Sequence, residues 1–192
     1  MHIHKIKRKK TPMITYQLTS IGKELEEIIA LQQRNLPLNI SADEKNDQGF
    51  VSVQHTIMLL TKMHDAHPHI IAKHNNKVVG YALCMVQEFR NEIPLLTPMF
   101  NQIDKAIKEQ NKNLNYMVMG QVCVDKDYRK QGVFRALYKY MKENISKEYN
   151  AIITEVDVKN TRSVNAHKAI GFELLKEHQS NNQNWQLIVL ST

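Results

Sequence analysis

Residues 129–134, Arg-Lys-Gln-Gly-Val-Phe, follow an apolar run and open a stretch with helical spacing. Backbone N–H groups at such a helix start have no intrahelical partner, and together with the helix dipole they suit an anion, above all a diphosphate. Gly132 lets the backbone come close with no side chain in the way, and Arg129 and Lys130 add charge. An Arg-x-x-Gly match arises by chance about once in a chain of this length, so a basic turn opening an ordinary surface helix stays open. Further along, Asn160, Ser163 and His167 fall on a short helical stretch stopped by Gly171. Asn160 there suits a helix N-cap. Glu155 lies on the preceding run, where alternation puts it on one face with Ile153 and Asp157, opposite Thr154 and Val156.

The other candidates for chemistry are weaker. His55, His64, His67, His69 and His74 invite a metal, but no cysteine or carboxylate accompanies them at a familiar spacing. No metal is expected. Cys84 and Cys123 both sit in apolar runs, where buried free thiols in a reducing compartment are expected rather than a disulfide.

Elements must position these residues. Residues 13–19 suit a first strand, and apolar Leu25, Ile28 and Ile29 behind Glu24, Glu26 and Glu27 suit an amphipathic helix. A second helix is expected over 50–63, with Ile57, Leu60 and Met63 on one side. Strands at 70–74 and 78–87 flank Asn75-Asn76-Lys77, which has the chemistry of a hairpin turn. Residues 89–115, with a helix near 99–110, suit an insertion beside a site. A strand over 117–124 then leads into a helix with Val133, Leu137, Tyr140, Met141 and Ile145 inward, followed by a strand over 151–158 and a short helix over 162–170. A closing hairpin pairs 172–178 with 185–190. This order implies an α/β fold whose mixed sheet is partly parallel in its middle.

The 129–134 junction resembles the acetyl-coenzyme A loop of the GNAT superfamily, whose pattern is Arg or Gln, two residues, Gly, one residue, then Gly or Ala. Arg129 and Gly132 match, and Phe134 departs at the last position. The superfamily's second signature is present as Asn160, Ser163, His167 and Gly171-Phe172. The likeness is strongest over 117–172 and implies a GNAT-type acyl-CoA N-acyltransferase fold, a central mixed sheet with helices on both faces. It further implies an N-acetyltransferase that moves acetyl from acetyl-CoA, its cosubstrate, to a primary amine by direct attack on the thioester.

Carried over by position, Val122, Cys123 and Val124 would offer main-chain groups to the pantetheine arm and an N–H to the developing oxyanion. Arg129, Lys130, Gln131, Gly132, Val133 and Phe134 would cradle the diphosphate. Asn160 would bond the pantetheine amides, and Ser163 would lie beside the coenzyme. His167 stands where many relatives have a tyrosine that protonates the departing thiolate. An imidazolium with a reference pKa near ~6.5 is a competent donor to a thiolate of ~8.5. Glu155 stands where some ribosomal-protein acetyltransferases carry a general base, and it is either that base, acting through water, or a solvated strand residue. The replacement of tyrosine by His167 also permits an alternative, a catalytically inactive acyl-CoA-binding module.

The net charge of +7 first suggests nucleic acid, yet five of the 26 basic residues, Lys5, Lys7, Arg8, Lys9 and Lys10, lie in the first ten positions without an acid. The remaining 21 meet 19 acidic residues, a surplus of two. Residues 1–12 are therefore expected to be a basic, mobile extension on a single domain over 13–192. No apolar run approaches the ~20 residues a bilayer requires, so a cytoplasmic enzyme is expected, away from membranes and without a nucleic-acid partner. Its acceptor would be a small-molecule or peptide amine, and a homodimer stays open.

Overall fold

The computed structural model describes residues 13–20, 22–36, 38–39, 51, 54–180 and 182–192. The basic segment 1–12 and residues 50, 52 and 53 of the expected second helix lie outside the described residues. In chain order the elements are β1 (Thr15–Leu18), α1 (Gly22–Arg34), α2 (Ile57–Ala66), β2 (Ile70–His74), β3 (Lys77–Met85), α3 (Thr97–Glu109), β4 (Tyr116–Val124), α4 (Val133–Ile145), β5 (Ala151–Asp157), α5 (Thr161–Lys168), β6 (Glu173–Ser180) and β7 (Gln183–Ser191). Short 3-10 turns at Gln87–Asn91, Pro94–Leu96 and Lys126–Tyr128 join them.

All seven strands form one sheet in the order β1-β2-β3-β4-β5-β7-β6. Among the described residues only β4 and β5 run parallel. The crossover between them is α4, since parallel neighbours cannot be joined by a hairpin. The other neighbours are antiparallel hairpins or returns. Asn75 and Asn76 both take positive φ, 50° and 63°, the two-residue turn that matches strand twist and that asparagine tolerates.

Two cores sandwich the sheet. On one face Leu25, Ile28 and Leu31 of α1, Leu60 and Met63 of α2, and Phe100, Ile103 and Ala106 of α3 meet Tyr81, Val118, Ile153 and Leu187. On the other, Val133, Leu137, Tyr138, Met141 and Ile145 of α4 cover Met117, Met119, Ile152 and Val156. The inward tyrosine of α4 is thus Tyr138, fully buried, while Tyr140 is only partly covered. The second helix starts at Ile57 rather than near residue 50, because the Thr56 hydroxyl accepts from the Leu59 N–H and caps it there.

Segment 87–115 is a covering element. Its helix α3 reaches edge strand β6, where Gln110 Nε2 donates to the Leu175 carbonyl at 2.6 Å and Lys176 pairs with Glu109 at 2.8 Å. Cys84 and Cys123 are free and buried, and burial pushes both thiols up to about 12.

Candidate functional site

The sheet opens between β4 and β5. Their parallel pairing runs only from Tyr116↔Ala151 to Val118↔Ile153, and the last link is the Thr154 hydroxyl, which donates to the Met119 carbonyl at 2.9 Å. Beyond it both strands continue unpaired with each other, β4 to Val124 and β5 to Asp157. On its other side β4 carries a bulge against β3, where Ala82 faces Val122 but Cys84 faces Met119. The extra residue inverts the alternation. Met117 and Met119 share a face with Val122 and Val124, while Cys123 joins Tyr116 and Val118 on the opposite one. Gly120 and Gln121 lie at this inversion.

At the end of β4 the chain turns into α4 through two residues with positive φ, Lys130 at 62° and Gly132 at 81°. Gly132 is the N-cap of α4, and a Cβ built on it would meet nothing within 4 Å. The loop is braced by Arg129, whose Nε donates to the Val124 carbonyl at 3.1 Å and whose Nη2 donates to Asn35 Oδ1 at 2.6 Å. Beside it Arg34 pairs with Asp125 at 3.0 Å, so α1 is tied to the loop twice. Gln131 turns its amide to the Asp127 carbonyl at 2.8 Å.

A cavity of about 330 Å³ lies over this loop. It is lined by Val122, Cys123, Val124, Arg129, Lys130, Gly132, Val133 and Phe134 from β4 and the loop, and by Asn160, Arg162 and Ser163 from α5. All the residues expected at a coenzyme site except Gln131 border it. The open cradle at Gly132 and the helix N-terminus fit a diphosphate.

Asn160 caps α5, its Oδ1 accepting from the Ser163 N–H at 3.1 Å, and this leaves its Nδ2 as a donor at the cavity wall. The helix ends in a Schellman motif: Gly171 has φ 99°, its N–H reaches the Lys168 carbonyl, and the Phe172 N–H reaches that of His167. His167 is 1% exposed and packs edge-on against Phe134, Tyr138 and Phe172, with ring centroids 5.0 to 5.4 Å away. Its Nδ1 lies 2.8 Å from the Ser163 carbonyl and must donate there, so Nε2 accepts from the Tyr138 hydroxyl at 2.7 Å. Burial lowers its pKa to about 4, only partly opposed by the Ser163 carbonyl. The value near 6.5 expected for an imidazolium donor therefore does not hold. The ring is neutral, and both of its nitrogens are engaged.

A second cavity, about 170 Å³, lies at the same gap, lined among others by Gln121, Thr154, Glu155, Asp157, His167 and Trp185. Val122, Asn160 and Ser163 line both cavities. Glu155 faces His178 of β6 across β7, with Nε2 to Oε1 at 2.5 Å. Burial raises the Glu155 pKa, and the His178 hydrogen bond opposes the rise. Glu155 is thus neither fully solvated nor alone. Tyr81 donates to Gln121 Oε1 at 2.6 Å from beneath the bulge.

Tyr138, His178 and Gln121 were not singled out in the sequence. Tyr138 could have been, since Phe134, Tyr138, Met141 and Ile145 form the i, i+4, i+7 stripe, whereas His178 carries no local signal. The insertion 87–115 lines neither cavity. The five histidines at 55–74 disperse onto separate partners: Gln32, Thr19, the Pro68 and Leu60 carbonyls, and Tyr128.

Compared with protein-family models, the chain matches the Acetyltransferase (GNAT) family over residues 27–172. Among solved structures it is similar to the ribosomal-protein-S18-alanine N-acetyltransferase of Escherichia coli, at 13% identity and a TM-score of 0.62 over 93% of this chain and 94% of that one. It is also similar to a chain of the NatC complex bound to Gag peptide and CoA, at 17% identity and 0.64 over 93% and 98%. A third is yncA of Salmonella typhimurium with its cofactor acetyl-CoA, at 13% identity and 0.59 over 93% of each chain. At these identities the likeness is one of fold. Compared by sequence with curated proteins, the chain has no match.

Proposed function

The chain belongs to the GNAT acetyltransferase family, and on that premise we propose that it is an N-acetyltransferase that passes acetyl from acetyl-CoA to a primary amine. The main support is the gap between β4 and β5, where the loop amides, the free donor of Asn160 and the smaller acidic cavity converge. When bound, acetyl-CoA supplies the activated acyl group as a thioester. The amides of 130–134 hold its diphosphate, and the main chain of Val122 to Val124 with Asn160 Nδ2 and Ser163 holds its pantetheine arm. An N–H of that strand segment polarises the thioester carbonyl oxygen.

The amine approaches through the smaller cavity, and Glu155 takes its proton. A lysine-like amine near pKa ~10.4 is about 0.1% neutral at pH 7.4, so such an acceptor depends on a base far more than an α-amine near ~7.8 does. His167 borders the smaller cavity, and to protonate the leaving thiolate its ring must turn its Nδ1–H away from the Ser163 carbonyl. The catalytic domain is residues 13–192, and the two free buried thiols suit a cytoplasmic enzyme.

A panel of small amines, aminoglycosides, polyamines and peptides tests this function, read by thiol release and by the mass of the acetylated acceptor. Failure of acetyl-CoA to bind would sink it. The enclosure of both His167 nitrogens supports one rival, an inactive acyl-CoA-binding module. Tight coenzyme binding with no turnover on any acceptor would favour that rival.

A further inference from the structure

Glu155 and His178 come from strands that are not neighbours, with β7 between them. Glu155 is in register with Leu187 and His178 with Trp185, so both side chains rise from one face and meet over β7. The His178 side chain is 5% exposed and that of Glu155 17%. Because an ionised carboxylate can only accept, Nε2 is the donor in this contact. The ring's Nδ1 is buried without a hydrogen-bond partner among the described residues. Leaving such an atom unsatisfied is costly, and a leucine would cover the same face without it. The ring's one polar contact among the described residues is Glu155.

We propose that His178 is a positioning residue for the general base: its Nε2–H holds Glu155 through Oε1 and keeps the carboxylate ionised, leaving Oε2 to take a proton from the acceptor amine. This rests on the proposed N-acetyltransferase function and names the group that makes its base usable. A carboxylate sheltered this far from water tends to hold its proton, which would leave it inert as a base at neutral pH. A lysine in place of His178 would ionise it but blunt its basicity through a full opposite charge. The imidazole Nε2–H does the first through a single hydrogen bond to Oε1. The other titratable groups around the pair are otherwise engaged. Asp157 accepts from the Lys159 N–H and from Gln183, Lys176 pairs with Glu109 of α3, Glu177 accepts from Gln186, and His167 is bonded to Tyr138 and Ser163.

The protons balance. An acceptor ammonium brings three: one passes to Glu155 and on to solvent, one ends on the coenzyme thiol as the C–S bond breaks, and one stays on the new amide as the C–N bond forms.

The test compares His178→Phe, which removes the donor, with His178→Gln, whose side-chain amide can place an N–H near the same point. Two readouts are needed: the pH dependence of kcat/KM with an accepted amine, and direct titration of the Glu155 carboxyl by carbon-13 NMR in the full chain. In His178→Phe both the acid limb and the carboxyl titration should move up by roughly one pH unit or more, with kcat/KM down about tenfold or more near pH 7. His178→Gln should restore both to within a few-fold of wild type. An unmoved carboxyl titration in both variants would overturn the proposal, as would a uniform loss of activity with an unmoved limb. Wild-type protein that binds acetyl-CoA but acetylates nothing would overturn the function itself, and would be told apart because the NMR shift between variants would persist.

Discussion

The Tyr138 hydroxyl of α4 donates to His167 Nε2 of α5 at 2.7 Å, so one buried proton joins the helix that opens at the glycine loop to the helix capped by Asn160. Tyr138→Phe keeps the ring packing and deletes that donor. It should cost about 1–3 kcal/mol, the usual penalty for a buried acceptor left without a partner. Urea unfolding measures it, and unchanged stability would mean the contact contributes nothing.

His167→Ala should lower turnover roughly ten- to a thousandfold while leaving coenzyme affinity within a few-fold. Removing a fully buried ring should also reduce stability by a few kcal/mol, so turnover must be measured where the variant is folded. Because the ring's pKa is near 4, wild-type turnover should show no falling limb from His167 between about pH 6.5 and 7.5. A limb there that vanishes in His167→Tyr would show that the ring becomes exposed during the cycle.

Gly132 at φ 81° offers a paired test of the loop. Gly132→Ala and Gly132→Glu both strain the backbone by about 1–2 kcal/mol, and neither meets a clash at Cβ. Acetyl-CoA at a hundredfold excess over its dissociation constant should stabilise the wild type by ~2.7 kcal/mol. Alanine should retain much of that shift, and glutamate should abolish it by placing charge where a diphosphate sits. Equal shifts in both variants would remove the loop from the coenzyme site.

Stability should fall in mild acid. Burial lowers His55 and His167 to about 4 and His69 to about 3. The unfolded chain therefore takes up protons near pH 6.5 that the folded chain refuses until pH 3–4. Their stabilisation is complete above pH 6.5 and is lost as pH falls toward 4. Between pH 7.5 and 5.5 each should cost up to roughly 1.4 kcal/mol, about 4 kcal/mol for the three. Urea titrations at the two pH values check this. His55→Asn, which keeps an acceptor for the Gln32 amide, should shrink the difference by about a third.

Features set by adjacent residues were legible in the sequence, and features set across the sheet were not. The glycine loop, the Asn75-Asn76 turn, the Asn160 cap and the Gly171 stop each depend on a few neighbouring residues. Arg129 reads as charge for a phosphate, and its second task, bracing the loop through Val124 and Asn35, is invisible in the sequence because Asn35 is far away along the chain. The bulge at Gly120–Gln121 is marked in the sequence only by one isolated glycine, which hints at a bulge but does not say that an extra residue inverts the alternation there, so the faces of Val122 and Val124 were not legible in advance. Glu155 could be assigned a face but not a partner, because His178 reaches it only once β7 has inserted between their strands.

The short pairing of β4 with β5 has a consequence beyond the site. Three residue pairs and one hydroxyl join the half-sheet β1 to β4 with the half-sheet β5, β7 and β6. Below that seam the architecture lacks rungs, and the peptide-like amides of a pantetheine chain are the kind of group that supplies them. With the proposed coenzyme in that gap, the two half-sheets should be stitched together, and backbone amide exchange and protease nicking at 120–124 and 155–158 should slow as acetyl-CoA is added.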